Sequence, residues 1–192
     1  MKEVFVKSKK INLIGVICIL PITVLSIIPY WIKWSGHIKA DIKIIKTSLS
    51  IFENNLLNAI TVIMAPCVLI LLAIIVHELI HALFMIVFSK NGIKSVRLGI
   101  MKQSLIPYAH CKEPLKGGKM LIISLAPFIF LGLIPTLYAY MYGNLILWFT
   151  GLVMTLGAIG DFVYAYLILK TGLDHKILDH ANEVGFKIID ND

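Results

Sequence analysis

Four long runs of apolar residues, separated by shorter polar stretches, set the plan of this chain. They cover residues 11–34, 56–88, 120–142 and 145–169. Each is at least as long as the ~20 residues that carry an α-helix across a bilayer. The second, at roughly 33 residues, is longer than a bilayer requires, so it must tilt, bend near Pro66 or protrude. Gly143-Asn144 leaves room only for a tight turn, which makes the third and fourth runs an antiparallel helical hairpin. Pro29, Tyr30, Trp31 and Trp34 close the first run as an interfacial aromatic belt, and Tyr138, Tyr140, Tyr142 and Trp148 read the same way.

The connections differ in character. Residues 37–55 form a polar stretch of mixed charge, and 91–119 is strongly basic. Within the latter, Ser95–Met101 and Leu105–Cys111 alternate partially, which predicts two short strands around Lys102-Gln103-Ser104. The tail after Lys170 is short and polar. The expected fold is therefore an all-α membrane protein of about four transmembrane helices, with one small β-hairpin in the basic loop. It forms a single integral membrane domain over 1–192, ending in a cytoplasmic tail, 170–192.

Composition supports this plan. Apolar residues make up 58% of the chain, above the ~45–50% of soluble domains, so no ordinary soluble module remains to be placed. The net charge of +7 lies in the connections, without the basic stripe and interleaved aromatics of a nucleic-acid partner. Of the 18 Lys and Arg, only Lys33, at the end of the first run, and Lys39, Lys43 and Lys46, in the connection after it, fall on the outer side. The rest lie at the N-terminus, in the basic loop and in the tail, which places both termini in the cytoplasm. Lys7, Lys9 and Lys10 precede the first run as in a signal peptide. That run is too long, and no small-x-small cleavage site follows it, so it reads as an uncleaved span. Cys18, Cys67 and Cys111 form no CxxC pair and suggest no disulfide framework; the first two read as packing residues and Cys111 as a loop thiol.

The chemistry concentrates in His77-Glu78-Leu79-Ile80-His81, inside the second run. Two histidines four apart on a helix share one face and can reach one metal ion. Glu78 lies about 100° round the helix from His77, within reach of a water bound to that metal. Zinc lowers the pKa of such a water toward ~7, and the glutamate can take its proton. An ionisable side chain in a span costs roughly 2.5–3.5 kcal/mol, so three together need compensation, and a divalent cation is one source. Hydrogen bonds to neighbouring helices are the other.

A zinc site normally needs at least three protein ligands. Asp161 is the only ionisable residue within the fourth run and sits among Gly157, Ala158, Gly160 and Ala165, which permit close helix approach. Counted from Lys90 and Lys170, His81 and Asp161 lie at the same depth, roughly 14 Å from the cytoplasmic boundary. His110-Cys111 is a weaker metal-binding candidate in an exposed loop. His37 lies in the outer loop, and His175 and His180 read as solvated tail residues.

The segment HELIHALF, the loop YAHCKEPLK, the proline-bearing SLAPF, GAIGDF and the tail DHANEVGF together resemble a family of small bacterial membrane-embedded zincin peptidases. More distantly the chain is similar to the site-2 proteases, which are intramembrane zinc metalloproteases. The resemblance covers most of the chain from the second run onward. It departs at Asp161, which stands in IGDF rather than in the LDG that follows an Asn/Pro-rich stretch in site-2 proteases. The resemblance implies zinc held by His77, His81 and Asp161, with Glu78 as catalytic base. The implied activity is hydrolysis of a peptide bond in or near a bacterial cell membrane, with lipid and a polypeptide substrate as partners. A non-catalytic metal-binding membrane protein, a scaffold or metal carrier, is the competing expectation.

Overall fold

The computed structural model describes residues 2–52, 54–100, 107–180 and 183–189. A short strand, β1 (Lys2–Val6), leads into α1 (Ser8–Leu49). At 42 residues this helix is roughly 60 Å long, about twice the hydrocarbon thickness of a bilayer. The polar connection expected over 37–55 is thus largely helix. No Gly or Pro falls between His37 and Leu49, and Lys and Ala are good helix formers, so nothing local stops the helix there. Helix α2 (Asn55–Phe88) starts at Asn54, whose side chain accepts hydrogen bonds from the Leu56 and Leu57 N–H groups.

A 3₁₀ turn, Gly92–Ser95, then opens the basic loop. Strands β2 (Val96–Ile100) and β3 (Pro107–Cys111) pair antiparallel, with Leu98 opposite Ala109 and Val96 opposite Cys111. The hairpin's turn, including Lys102-Gln103-Ser104, lies outside the described residues. Strand β4 (Leu115–Lys116) follows and runs into α3 (Gly117–Pro127). After Pro127 the helix passes through a π-helical stretch, Phe128–Leu133, into α4 (Ile134–Tyr142). Gly143 closes α4 at φ 74°, and a Cβ there would come 2.5 Å from the Trp34 ring, so only glycine fits this turn.

The fourth apolar run is not one straight helix. It divides into α5 (Leu145–Gly157) and α6 (Ile159–Thr171), bent by 49° at Ala158. Gly157 and Gly160 flank the break, and glycine is the poorest helix former after proline. Among the described residues, three helices are long and apolar enough to cross a membrane, and the bent α5–α6 pair makes a fourth crossing if it counts as one span.

The all-α expectation fails at the ends of the chain. Strands β5 (Lys176–Asp179) and β6 (Val184–Ile188) of the tail join β1 and β4 in an antiparallel sheet of order β1-β6-β5-β4. Val4 faces Phe186, and Leu115 faces Ile177. The tail is therefore a folded layer, because Ile177 and Phe186 bury their side chains against Met120, Ile123, Tyr164 and Ile168. The core sits where this sheet covers the adjoining ends of α2, α3 and α6. Strand pairing also brings the N-terminus, the basic loop and the tail to one end of the helices.

Helix α1 touches the rest mainly at its middle. Tyr30 is buried and stacks on Trp148 with ring centroids 4.9 Å apart, while the Tyr140 hydroxyl donates to the Ser26 carbonyl at 2.6 Å. These three aromatics thus join helices rather than form the expected belt; Trp31, Tyr138 and Tyr142 remain exposed. Elsewhere α1 turns large apolar side chains such as Leu25 and Ile32 outward.

Candidate metal centre

His77 and His81 lie one helical turn apart on α2, and Asp161 lies in the first turn of α6. The two imidazoles present Nε2 atoms 3.2 Å apart. His77 Nε2 is 3.1 Å from Asp161 Oδ2, and His81 Nε2 is 3.3 Å from Asp161 Oδ1. A tetrahedral zinc with ~2.0–2.1 Å bonds has ligand-to-ligand edges of roughly 3.3 Å, so all three separations suit one shared ion. Among the described residues this is the group of His, Cys, Asp and Glu that converges closely enough to hold a metal.

Backbone chemistry sets the His81 tautomer. Its Nδ1 lies 2.9 Å from the Ile123 carbonyl, which can only accept. Nδ1 therefore carries the proton, and in the neutral ring Nε2 turns a lone pair toward Asp161 and His77. That lone pair repels the facing Asp161 carboxylate unless a proton or a metal cation lies between them. The Ile123 carbonyl has a reason to be available. Pro127, four residues on, has no N–H to donate back to it. The SLAPF proline, visible in sequence but without an evident role there, thus frees the group that orients a candidate ligand. Ser124 adds a tie between helices, its hydroxyl donating to the Asp161 carbonyl at 2.8 Å.

Glu78 leaves the same turn of α2 toward the hairpin. Its Oε2 accepts from the Ala109 N–H of β3 at 2.8 Å. Glu78, His81 and Asp161 line one cavity of about 320 Å³, together with His110, Tyr164 and Asp179. Sequence reasoning missed this last trio as a group. His110 Nδ1 sits 3.0 Å from Asp179 Oδ2 of β5, so a loop residue and a tail residue meet across the cavity. No local pattern could signal that pairing.

Several expectations are corrected here. Cys111 is fully buried, not a loop thiol; it donates to the Glu113 carbonyl at 3.3 Å, and burial pushes its pKa up. Cys67, in an apolar run, is the exposed one. His180 is not a solvated tail residue: it stacks on Phe5 at 5.3 Å and accepts from the Glu183 N–H. His175 is exposed, and His37 meets the Trp34 ring edge-on, away from the centre. Glu113 has a structural role. It accepts from the Ser95 hydroxyl at 2.6 Å and from the Lys90 and Asn91 N–H groups, tying the end of α2 to the hairpin. The Ser95 contact leads in holding its carboxyl below the usual range.

The donor set, two histidines and one carboxylate with a glutamate beside them, is of the kind that can hold zinc in hydrolytic centres, which keep one position for water. No curated protein and no solved structure matches the chain. The profile of one protein family, described as putative zincin peptidase, matches residues 70–174. That segment begins within α2 ahead of the histidines and runs past the end of α6, so it includes every residue of the candidate centre. The chain belongs to this family of metallopeptidases, whose zincin character implies zinc.

Proposed function

We propose that the protein is a zinc-dependent peptidase that cleaves a polypeptide in or beside a bacterial cell membrane. The observation that carries this reading is the convergence of His77 Nε2, His81 Nε2 and an Asp161 carboxylate oxygen, with His81 and Asp161 lining the cavity that also holds Glu78. In this assignment His77, His81 and Asp161 hold the metal. When bound, zinc supplies a Lewis acid that acidifies a water and polarises the scissile carbonyl. Glu78 takes a proton from the attacking water and passes it to the departing amine as the C–N bond breaks. The Ala109 N–H keeps the Glu78 carboxylate on the hairpin side of the cavity. Three protein ligands favour this reading over a closed metal-storage or scaffold site, which would take four.

The membrane setting rests on long helices whose exposed surface is apolar, Leu25 and Ile32 on α1 and Ile63 and Leu83 on α2 among them. The excess of Lys and Arg on the N-terminus, basic loop and tail favours a cytoplasmic position for that end. HELIH lying inside an apolar helix supports action within the bilayer.

The test is zinc content together with cleavage of fluorescein-labelled casein by detergent-solubilised protein. Glu78→Gln is expected to retain zinc at one equivalent and lose cleavage. Asp161→Ala is expected to lose zinc and cleavage together. Cleavage by Glu78→Gln at the wild-type rate would remove the base, and with it the peptidase assignment.

A further inference from the structure

The cavity has a second polar wall. His110 and Asp179 reach it from different sheets and hold each other through Nδ1 and Oδ2 at 3.0 Å. Both are largely buried, with side-chain exposures of 23% and 17%, so the pair is sheltered from bulk water on most of its surface. Position matters more than burial. Ala109, whose N–H touches Glu78, is the residue immediately before His110, and consecutive Cα atoms are about 3.8 Å apart. The His110 side chain lines the same cavity as Glu78, and its residue follows the Glu78 contact directly along β3. Because Nδ1 is committed to Asp179, Nε2 is the ring nitrogen left for a bound molecule. The buried Tyr164 hydroxyl lies beside Asp179 without a formed hydrogen bond, and Glu183 and His180 of the tail complete this wall.

A His–Asp pair has a bland role available, as a tie between the hairpin and the tail sheet. Two features argue for more. The hairpin is already anchored to α2 by Glu113 and by the Ala109–Glu78 contact, and the sheet is already anchored by its own core. A further tie needs no imidazole turned into the cavity. The carboxylate also balances charge when both ring nitrogens carry protons, the state in which Nε2–H can donate.

Building on the peptidase reading, we propose that His110, oriented by Asp179, is a second catalytic residue that donates a hydrogen bond from Nε2 to the carbonyl oxygen of the scissile peptide. The bond strengthens as that oxygen gains negative charge during attack by water, so it lowers the barrier more than it aids binding. Asp179 is the positioning residue. The proton stays on His110; no bond of the substrate is made or broken by it. The tail thereby acquires a function of its own, since β5 carries the group that aims the imidazole.

The test uses the zinc-loaded full-length protein in detergent with labelled casein, and follows kcat, KM, zinc content and thermal midpoint. His110→Ala is expected to lower kcat by about 100-fold, the scale of a lost oxyanion donor, with KM within about threefold of wild type. Zinc content and midpoint should stay at wild-type values. His110→Gln, which carries a neutral donor, should recover part of kcat. Asp179→Asn should show a smaller loss, also in kcat. Wild-type kcat in His110→Ala, a loss confined to KM, or a loss that follows zinc content or midpoint would overturn the proposal while leaving the peptidase reading in place. If zinc-loaded wild type itself cleaves no casein, the peptidase reading falls and this inference falls with it.

Discussion

Pro127→Ala should make the protein more stable and its metal binding weaker, two effects of opposite sign from one change. Pro127 is fully buried within the helical rod that runs from α3 into α4. Proline in a helix interior costs about 3 kcal/mol relative to alanine, because it removes a hydrogen bond and crowds the preceding turn. Alanine lacks two of its buried ring carbons, at about 0.8 kcal/mol each. The difference leaves the metal-free variant roughly 1 kcal/mol more stable. The restored N–H at 127 now competes for the Ile123 carbonyl, which in the native chain accepts from His81 Nδ1 at 2.9 Å. Losing the partner that orients a metal-bound histidine typically costs about 10–100-fold in affinity. The carbonyl keeps a second lone pair, so the lower end, about tenfold, is expected. Zinc affinity can be measured by competition with a chelating dye, and stability by thermal unfolding of the metal-free protein, both in detergent. Zinc binding as tight as wild type, at whatever stability, would refute the claim that the proline serves His81.

Two further outcomes are expected. Reporters fused at the N-terminus, near residue 112 and after Lys170 should all read cytoplasmic, and one near Lys43 external; an external signal near residue 112 would reverse the orientation. Gly185→Ala should detach β1, because at φ 157° any Cβ would collide with the Val4 carbonyl and Phe5. A loss of about 1–3 kcal/mol and faster amide exchange over Lys2–Val6 are expected, and unchanged exchange would show that the sheet tolerates the clash.

The sequence by itself determined what is local. Long apolar runs specify helix, and the runs at 56–88 and 120–142 became α2 and the α3–α4 rod nearly residue for residue. The i, i+4 spacing of His77 and His81 places both on one face by helix geometry alone, and the short alternating segments around residue 103 foretold the hairpin strands. The bend in the fourth run was half legible, in the glycines at 157 and 160. Only the tertiary structure decided the rest. Lys2–Val6 and Val184–Ile188 pair from opposite ends of the chain, and strands of two to five residues carry too little pattern to announce a partner. What selects that sheet is burial of Phe186 and Ile177 against helices distant in sequence. The centre divides the same way: side-chain donors are written in the residue types, whereas the groups that aim them are backbone atoms. The Ile123 carbonyl and the Ala109 N–H have no identity in sequence, because every residue but proline carries the same pair. Their role comes from position alone, and position is set by packing.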